Sequence, residues 1–232
     1  YSYACCLHDG VGVNVDLASA ARYFKMSADQ GYAYAQSNYG CCSRDGRGVR
    51  VDLVSAARYF KMSADQGYAE AQYSYACCLR DGTGVSVDLE AAALYFRNSA
   101  DQGYAYAQYS YACCLHDGVG VNVDLASAAR YFKMSADQGY ALAQYSYGCC
   151  SRDGSGVRVD LVSAARYFKM SADQGDVNAQ YYYGCCLYDG RGVSADVESA
   201  AQYFKMSADQ GDAEAQLFYE LCVRDLGGAF TD

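Results

Sequence analysis

Apolar and small residues recur at spacings of three and four within two segments of every 36-residue stretch of the chain. Around the start of the second stretch, Ala35 of the preceding stretch and Tyr39 have this spacing, and Ala56, Phe60 and Ala64 repeat it further along. Such a pattern predicts two amphipathic helices, which we expect at residues 33–44 and 53–66. Small residues alternate with aromatic ones in both segments. This alternation favours close antiparallel packing of the two helices.

Glycine and aspartate separate the predicted helices. Gly46 and Gly48 stand where the first helix should end, because glycine readily adopts the positive φ that such a turn requires. Asp52 comes directly before the second helix and is typical of an N-cap residue. Gly67 follows that helix and is expected to end it.

The helix pair is repeated along the whole chain. The string SADQG begins at residues 27, 63, 99, 135, 171 and 207, always 36 residues apart. Complete repeats therefore cover residues 1–36, 37–72, 73–108, 109–144, 145–180 and 181–216, and a half repeat covers 217–232. Residues 1–108 and 109–216 differ at only 19 of 108 positions, of which 12 lie in the last of the three repeat pairs. The final residues, Phe230, Thr231 and Asp232, look like a terminal cap.

These motifs resemble the Sel1-like repeat family, a helical repeat related to TPR. The matching residues in the second repeat are Tyr39-Gly40, Gly46-x-Gly48-Val49, Asp52, Tyr59-Phe60 and Ala71-Gln72. The resemblance implies an all-α fold: a right-handed α-solenoid of antiparallel helix pairs, forming a single domain over residues 1–232. It also implies use as a binding scaffold. One branch of the family has a disulfide between cysteines eight residues apart, but Ala28 and Gln36 occupy those positions here.

Composition and charge exclude several kinds of partner. The chain contains no Pro or Trp but 26 Tyr, and its net charge is −9 with no basic cluster. Nucleic-acid binding is not expected, because phosphate contacts require grouped Lys and Arg. No apolar run approaches the length of a membrane-spanning helix, so no membrane insertion is expected. The chain begins at Tyr1 without a leader-like segment, which is typical of a processed or cut chain.

The 13 cysteines form six adjacent pairs plus Cys222. Neighbouring residues on a helix point about 100° apart, so a disulfide within a pair would break the helix. Equivalent helices of successive repeats should lie too far apart for disulfides between repeats. We interpret these residues as free thiols that serve as small packing groups. Disulfides between chains and a redox role are the alternatives.

No residue set predicts catalysis, a cofactor or a metal ion. His8 and His116 occupy equivalent positions 108 residues apart and are interpreted as surface residues near helix ends. The loop from Asp9 to Asp16 has valines where a calcium loop needs oxygen ligands. The candidate residues are copied from repeat to repeat, whereas an active site is normally unique. We therefore expect a protein without enzymatic activity.

One face of the first helices is a candidate protein-binding surface. Positions are counted from the first residue of a repeat. Steps of 100° place positions 3, 4 and 7, together with position 35 of the preceding repeat, in the core. Positions 1, 2, 5, 9 and 34 fall on the opposite side, which we expect to be concave. Position 23 tyrosines are also assigned to the core. The concave side carries serines such as Ser2 and Ser37, few charges, and these predicted contact residues: Tyr1, Cys5, Tyr34, Cys41, Tyr73, Cys77, Tyr106, Tyr109, Cys113, Tyr145, Cys149, Tyr181 and Cys185.

Two functions fit this surface. The first is a non-enzymatic scaffold that binds a protein or peptide through the Tyr/Ser/Cys-lined face. The alternative is a structural subunit that associates with other copies of itself into a filament or tube by stacking of solenoids. Near-identical repeats favour the second, because any surface then recurs along the axis.

Overall fold

The computed structural model describes residues 1–228, which contain thirteen helices and no strand. The described residues belong to two compact units, Tyr1–Val123 and the part from Asp124 onwards, here called the N-terminal and C-terminal units. Odd-numbered helices are the first helices of the repeats and even-numbered ones the second. The helices are α1 (Ser2–Asp9), α2 (Leu17–Asp29), α3 (Ala33–Asp45), α4 (Leu53–Ala64), α5 (Ala69–Asp81), α6 (Leu89–Asp101), α7 (Ala105–Asp117), α8 (Leu125–Asp137), α9 (Ala141–Asp153), α10 (Leu161–Ala172), α11 (Val177–Asp189), α12 (Val197–Ala208) and α13 (Ala213–Gly228).

The predicted helix pair is confirmed, with small differences at the ends. Helix α3 continues one residue past the prediction, and α4 ends at Ala64 rather than Gln66. The amides of Gln66 and Gly67 bond to carbonyls three residues back, at 3.1 and 2.9 Å. Bonds of this kind tighten the last turn, which therefore leaves the α-helical pattern early. The predicted cap at residues 230–232 lies outside the described residues.

Aspartate begins each second helix and glycine ends each of the first helices α1 to α11. The Asp52 carboxylate accepts a hydrogen bond from the Ser55 amide at 2.9 Å, as predicted for an N-cap. This bond lowers the pKa of Asp52. Gly46 follows α3 with φ of 73°, in the left-handed region. Sequence-local chemistry therefore sets the helix boundaries.

Within a unit, a first helix packs against the second helix of its own repeat and against that of the repeat before, as α3 does against α4 and α2. Phe60 is fully buried at the centre of such a contact. Its ring lies where a Cβ on Gly40 would stand only 2.7 Å away. The alternation of small and aromatic residues thus brings α3 and α4 close together. Gly148 and Gly184 have the same relation to Phe168 and Phe204.

Buried polar side chains join successive repeats. Gln36 is 1 % exposed; its Nε2 donates to the Ala28 carbonyl oxygen at 3.2 Å, and its Oε1 accepts from Nε2 of Gln66 at 2.7 Å. The Ser63 hydroxyl donates to the carbonyl oxygen of Ala33 at 2.8 Å. A buried amide of this kind contributes only when its partners are in place, so it fixes the register between repeats.

The tyrosines at positions 3 and 23 pack edge to face. Tyr39 and Tyr59 have ring centroids 4.8 Å apart at 84°, and equivalent pairs recur in other repeats. The predicted core placement is correct for Tyr75, which is 7 % exposed, but wrong for Tyr3, which is 54 % exposed. Tyr3 packs edge to face on Tyr23, with ring centroids 5.4 Å apart.

Candidate functional site

The predicted contact residues all lie on first helices or, for Tyr1, directly before one. None of them is buried: Tyr1, Tyr34 and Tyr106 are about half exposed, and the remaining members are partly buried. In each unit, we call the surface formed by its predicted residues the first-helix face. The predicted Ser37 differs, because it is only 6 % exposed. Its side chain is shorter than the tyrosine found at this position in other repeats and does not reach the surface.

The cysteine pairs divide between this face and the core. The first member of each pair is partly buried, whereas the second is buried in every repeat except the first. All thirteen thiols are free. Burial raises the pKa of Cys42, Cys78, Cys150 and Cys186 to about 11. Because the thiolate is the reactive form, this environment makes them poor nucleophiles.

At pH 8 we expect Cys42 and Cys186 to react with iodoacetamide about a hundredfold more slowly in the folded chain than after unfolding in urea. A pKa raised from 9.0 to about 11 lowers the thiolate fraction by that factor. Peptide mass spectrometry over time would measure the rates. The difference should shrink as the pH approaches 11. Equal rates at pH 8 would contradict the structural role of these thiols.

Arginines on the same face were missed in the sequence analysis. Arg44, Arg80 and Arg152 stand at position 8 of their repeats, about 20° from position 1 in steps of 100°. Each guanidinium lies 5.8 to 5.9 Å from the centroid of the phenylalanine ring in the next helix. Each also forms an ion pair with the aspartate that follows it. Each of these arginines stands three residues after the first cysteine of its repeat, so the helical steps that placed the cysteines on this face place the arginines there too.

The C-terminal unit has a cavity of about 700 Å³ beside this face. Tyr182 lies on its wall, stacked on Phe168 with centroids 5.5 Å apart, and Arg152 lies 4.5 Å above the Tyr182 ring. Tyr182 replaces Ser or Asn of the earlier repeats, and Tyr188 replaces Arg or His. The cavity thus lies where the repeats diverge most. Its aromatic and polar lining residues include Arg152, Phe168, Tyr181, Tyr182, Cys185, Tyr188, Arg191 and Phe218.

The charges at this cavity are largely balanced. Arg152 pairs with Asp153 at 2.7 Å, and Arg191 pairs with Asp189 at 3.1 Å. The surface that remains is aromatic, with Tyr181 from the predicted set beside Phe218 at a centroid distance of 5.7 Å. Sites that bind protein segments commonly combine such aromatic surface with paired arginines.

Residues 1–228 contain no group of three or more His, Cys, Asp or Glu side chains placed to hold a metal ion. Within the same part of the chain, no helix has the length and apolar character needed to cross a bilayer.

Comparison with known proteins identifies the repeat. The family model described as Sel1 repeat matches six consecutive segments, at residues 1–32, 33–68, 69–104, 105–140, 141–176 and 177–212. Five of these segments begin four residues before the repeats defined above, and the first covers residues 1–32. No curated protein matches the chain in sequence.

Solved structures share the architecture. The chain is similar to c5321, a protective antigen of uropathogenic Escherichia coli with an SLR fold: the TM-score is 0.88, the identity 29 %, and the match covers 94 % of this chain and 47 % of that one. A Sel1 repeat protein from Oxalobacter formigenes gives 0.81 and 29 %, over 95 % and 64 %. The chain therefore spans less than two thirds of either protein. A putative sel1 repeat protein from Klebsiella pneumoniae, at 0.51 and 19 % over 88 % and 99 %, shares the fold alone.

Proposed function

The chain belongs to the Sel1 repeat family, whose members are helical repeat scaffolds generally used for protein–protein interaction, and we propose that it binds a protein or peptide segment through its first-helix face. The face would form the concave side of the solenoid. Its chemistry comes from tyrosine rings, thiols and arginines, and we propose no catalytic step.

The observation that carries this proposal is that the first and second helices expose different kinds of side chain. The second helices expose charges in ion pairs, such as Lys25–Asp29 at 2.6 Å and Lys61–Asp65 at 2.7 Å. The first helices leave aromatic surface partly exposed, as at Tyr34 and Tyr106. Tyrosine supplies a large contact area with few rotatable bonds, so it is favoured where a partner is bound. The aromatic cavity beside Tyr181 gives the face of the C-terminal unit a concave position for an anchoring side chain.

Selection of binding peptides from a random library, followed by variants, tests this proposal. We expect Tyr145→Glu together with Tyr181→Glu to weaken the selected peptides by about thirtyfold, because each substitution places a charge on the contact surface. Met170→Glu with Met206→Glu is the matched control, since both methionines are exposed on second helices of the same unit. Calorimetry measures affinity and circular dichroism checks folding. Equal weakening by both pairs, or by neither, would refute binding at this face.

Stacking of copies into a filament is the alternative use of the repeat, and Glu220 disfavours it. Position 4 of every complete repeat is Gly or Ala, and Ala76 and Ala112 are fully buried there. In α13 the same position is Glu220, which is exposed. A second helix supplied by another copy would place its phenylalanine against this carboxylate. Light scattering across a concentration series, with a constant mass of 25.1 kDa for the chain, would exclude stacking.

A further inference from the structure

Tyrosines of the N-terminal unit lie near one carboxylate, and two of them, Tyr1 and Tyr34, belong to the first-helix face. The rings of Tyr34 and Tyr68 have centroids 4.6 Å apart, and Tyr1 lies 6.2 Å from Tyr34. Tyr68 and Tyr104 are the residues directly before α5 and α7, so their rings lie at the starts of neighbouring first helices. The carboxylate belongs to Glu70, in the first turn of α5. We call these five residues the tyrosine cage.

Glu70 lies close to the rings and has no cationic partner. Its Oε2 accepts a hydrogen bond from the Tyr68 hydroxyl at 2.5 Å, which leaves Oε1 available. Burial, followed by the Glu70 hydrogen bond and charge, raises the pKa of Tyr68. The same charge helps raise the pKa of Tyr1 and of Tyr104, after burial. Among residues 1–228, no Lys, Arg or His forms an ion pair with Glu70.

Two other acidic residues of the N-terminal unit differ from Glu70 in that they form ion pairs. Asp45 is paired with Arg44 at 2.7 Å, and Asp65 is paired with Lys61 at 2.7 Å. The position of Glu70 holds Tyr34 in the preceding repeat and Tyr106 in the following one. A single repeat of the N-terminal unit thus places a negative charge beside tyrosine rings, without an ion pair of the kind that Asp45 and Asp65 form.

Aromatic faces and a carboxylate attract the same kind of ligand. The face of a tyrosine ring carries negative electrostatic potential and binds organic cations within about 6 Å of its centroid. A carboxylate beside the rings adds a direct charge attraction that is stronger where the rings displace water. The alkyl part of a lysine or arginine side chain can also cover the ring surface. The net charge of −9 favours a basic partner at longer range.

We propose that the tyrosine cage binds the lysine or arginine side chain of the segment held on the first-helix face. The inference rests on the proposed function and specifies its partner: the bound segment carries a basic residue at this point.

Blocked tripeptides are the probes that test the cage. Acetyl-Ala-Lys-Ala-amide and its arginine counterpart should bind to the full chain, with shifts of tyrosine ring signals in NMR titrations. The norleucine peptide, which keeps the alkyl chain without the charge, should bind about tenfold more weakly, and the glutamate peptide should not bind. Equal affinity for the lysine and norleucine peptides would overturn the proposal, since it would show a purely apolar contact.

Two variants separate the cage from the general field of an acidic protein. Glu70→Gln should weaken the lysine peptide about fivefold without changing the norleucine peptide, because the amide can still accept from Tyr68. Glu90→Gln removes the same charge from the first turn of α6, outside the cage, and should have no effect. Tyr34→Leu, at a residue 57 % exposed, should also weaken the lysine peptide. Equal effects of Glu70→Gln and Glu90→Gln would refute a local site.

The outcome is distinguishable from that of the proposed function. Library peptides that depend on Tyr145 and Tyr181 but not on Glu70 or a basic residue would refute the cage and leave the face intact as a binding surface. Library peptides that bind more weakly to Glu70→Gln than to the wild type, and whose norleucine versions bind both proteins equally, would support both.

Discussion

Replacing Gly84 with alanine is expected to destabilise the N-terminal unit by about 4 kcal/mol. Gly84 has φ of 74°, and a Cβ at this residue would lie 2.0 Å from the backbone oxygen of Leu53 and 2.4 Å from its carbonyl carbon. The left-handed backbone alone costs an L-residue about 1–2 kcal/mol. The remainder arises because a backbone atom in the first turn of α4 cannot move away as a flexible side chain would. Thermal unfolding followed by circular dichroism measures the loss.

Gly103→Ala is the matched control. Gly103 also has a left-handed φ, of 92°, but a Cβ there would meet nothing within 4 Å. We expect this variant to lose only about 1 kcal/mol, from the backbone conformation. Hydrogen exchange should show that Gly84→Ala lowers the protection of α4 and of the loop after α5, whereas Gly103→Ala leaves both protected. Similar losses of stability in the two variants would mean that the close approach of Gly84 to the Leu53 backbone does not exclude a side chain at residue 84.

The sequence predicted those parts of the fold that depend on short segments. Helix starts such as that after Asp52 depend on one hydrogen bond from a residue three positions away, so the sequence pattern contains the whole cause. The end of α4 was less well predicted, because a tighter last turn and a longer α-helix have the same residues available. Tyr3 was misplaced because burial at this position depends on packing between repeats, which helical steps within one repeat do not describe.

The candidate site was predicted in outline only. Helical steps placed the tyrosines and first cysteines on one face, and none of those residues is buried. The cavity beside Tyr182 needed the structure, since residues that lie far apart in the sequence, such as Tyr188 and Phe218, line it together. The count of differences between equivalent repeats did mark the region, because the last pair differs most. A repeat chain thus reveals its special positions where the copies disagree.

Phe60→Ala is expected to destabilise the N-terminal unit by about 3–5 kcal/mol, because it empties a fully buried ring site between α3 and α4. Arg44, whose guanidinium lies 5.8 Å from the Phe60 centroid, loses its aromatic contact as well. Met62→Ala on the same helix removes an exposed side chain and should change stability by less than about 1 kcal/mol. Urea unfolding of each variant compares the two effects.

The close contact between Phe60 and Gly40 makes a stricter test possible. In the wild-type chain, Gly40→Ala gains about 1 kcal/mol of helix propensity but must displace a ring that would lie 2.7 Å from the new methyl group, so we expect the two effects to cancel. The chain itself uses Ala76 opposite Phe96, which is consistent with such a balance. In the Phe60→Ala background the ring is absent, so the same Gly40→Ala substitution should stabilise by about 1 kcal/mol. A double-mutant cycle measures this coupling directly. Strict additivity would show that the small residue at position 4 does not set the distance between the helices.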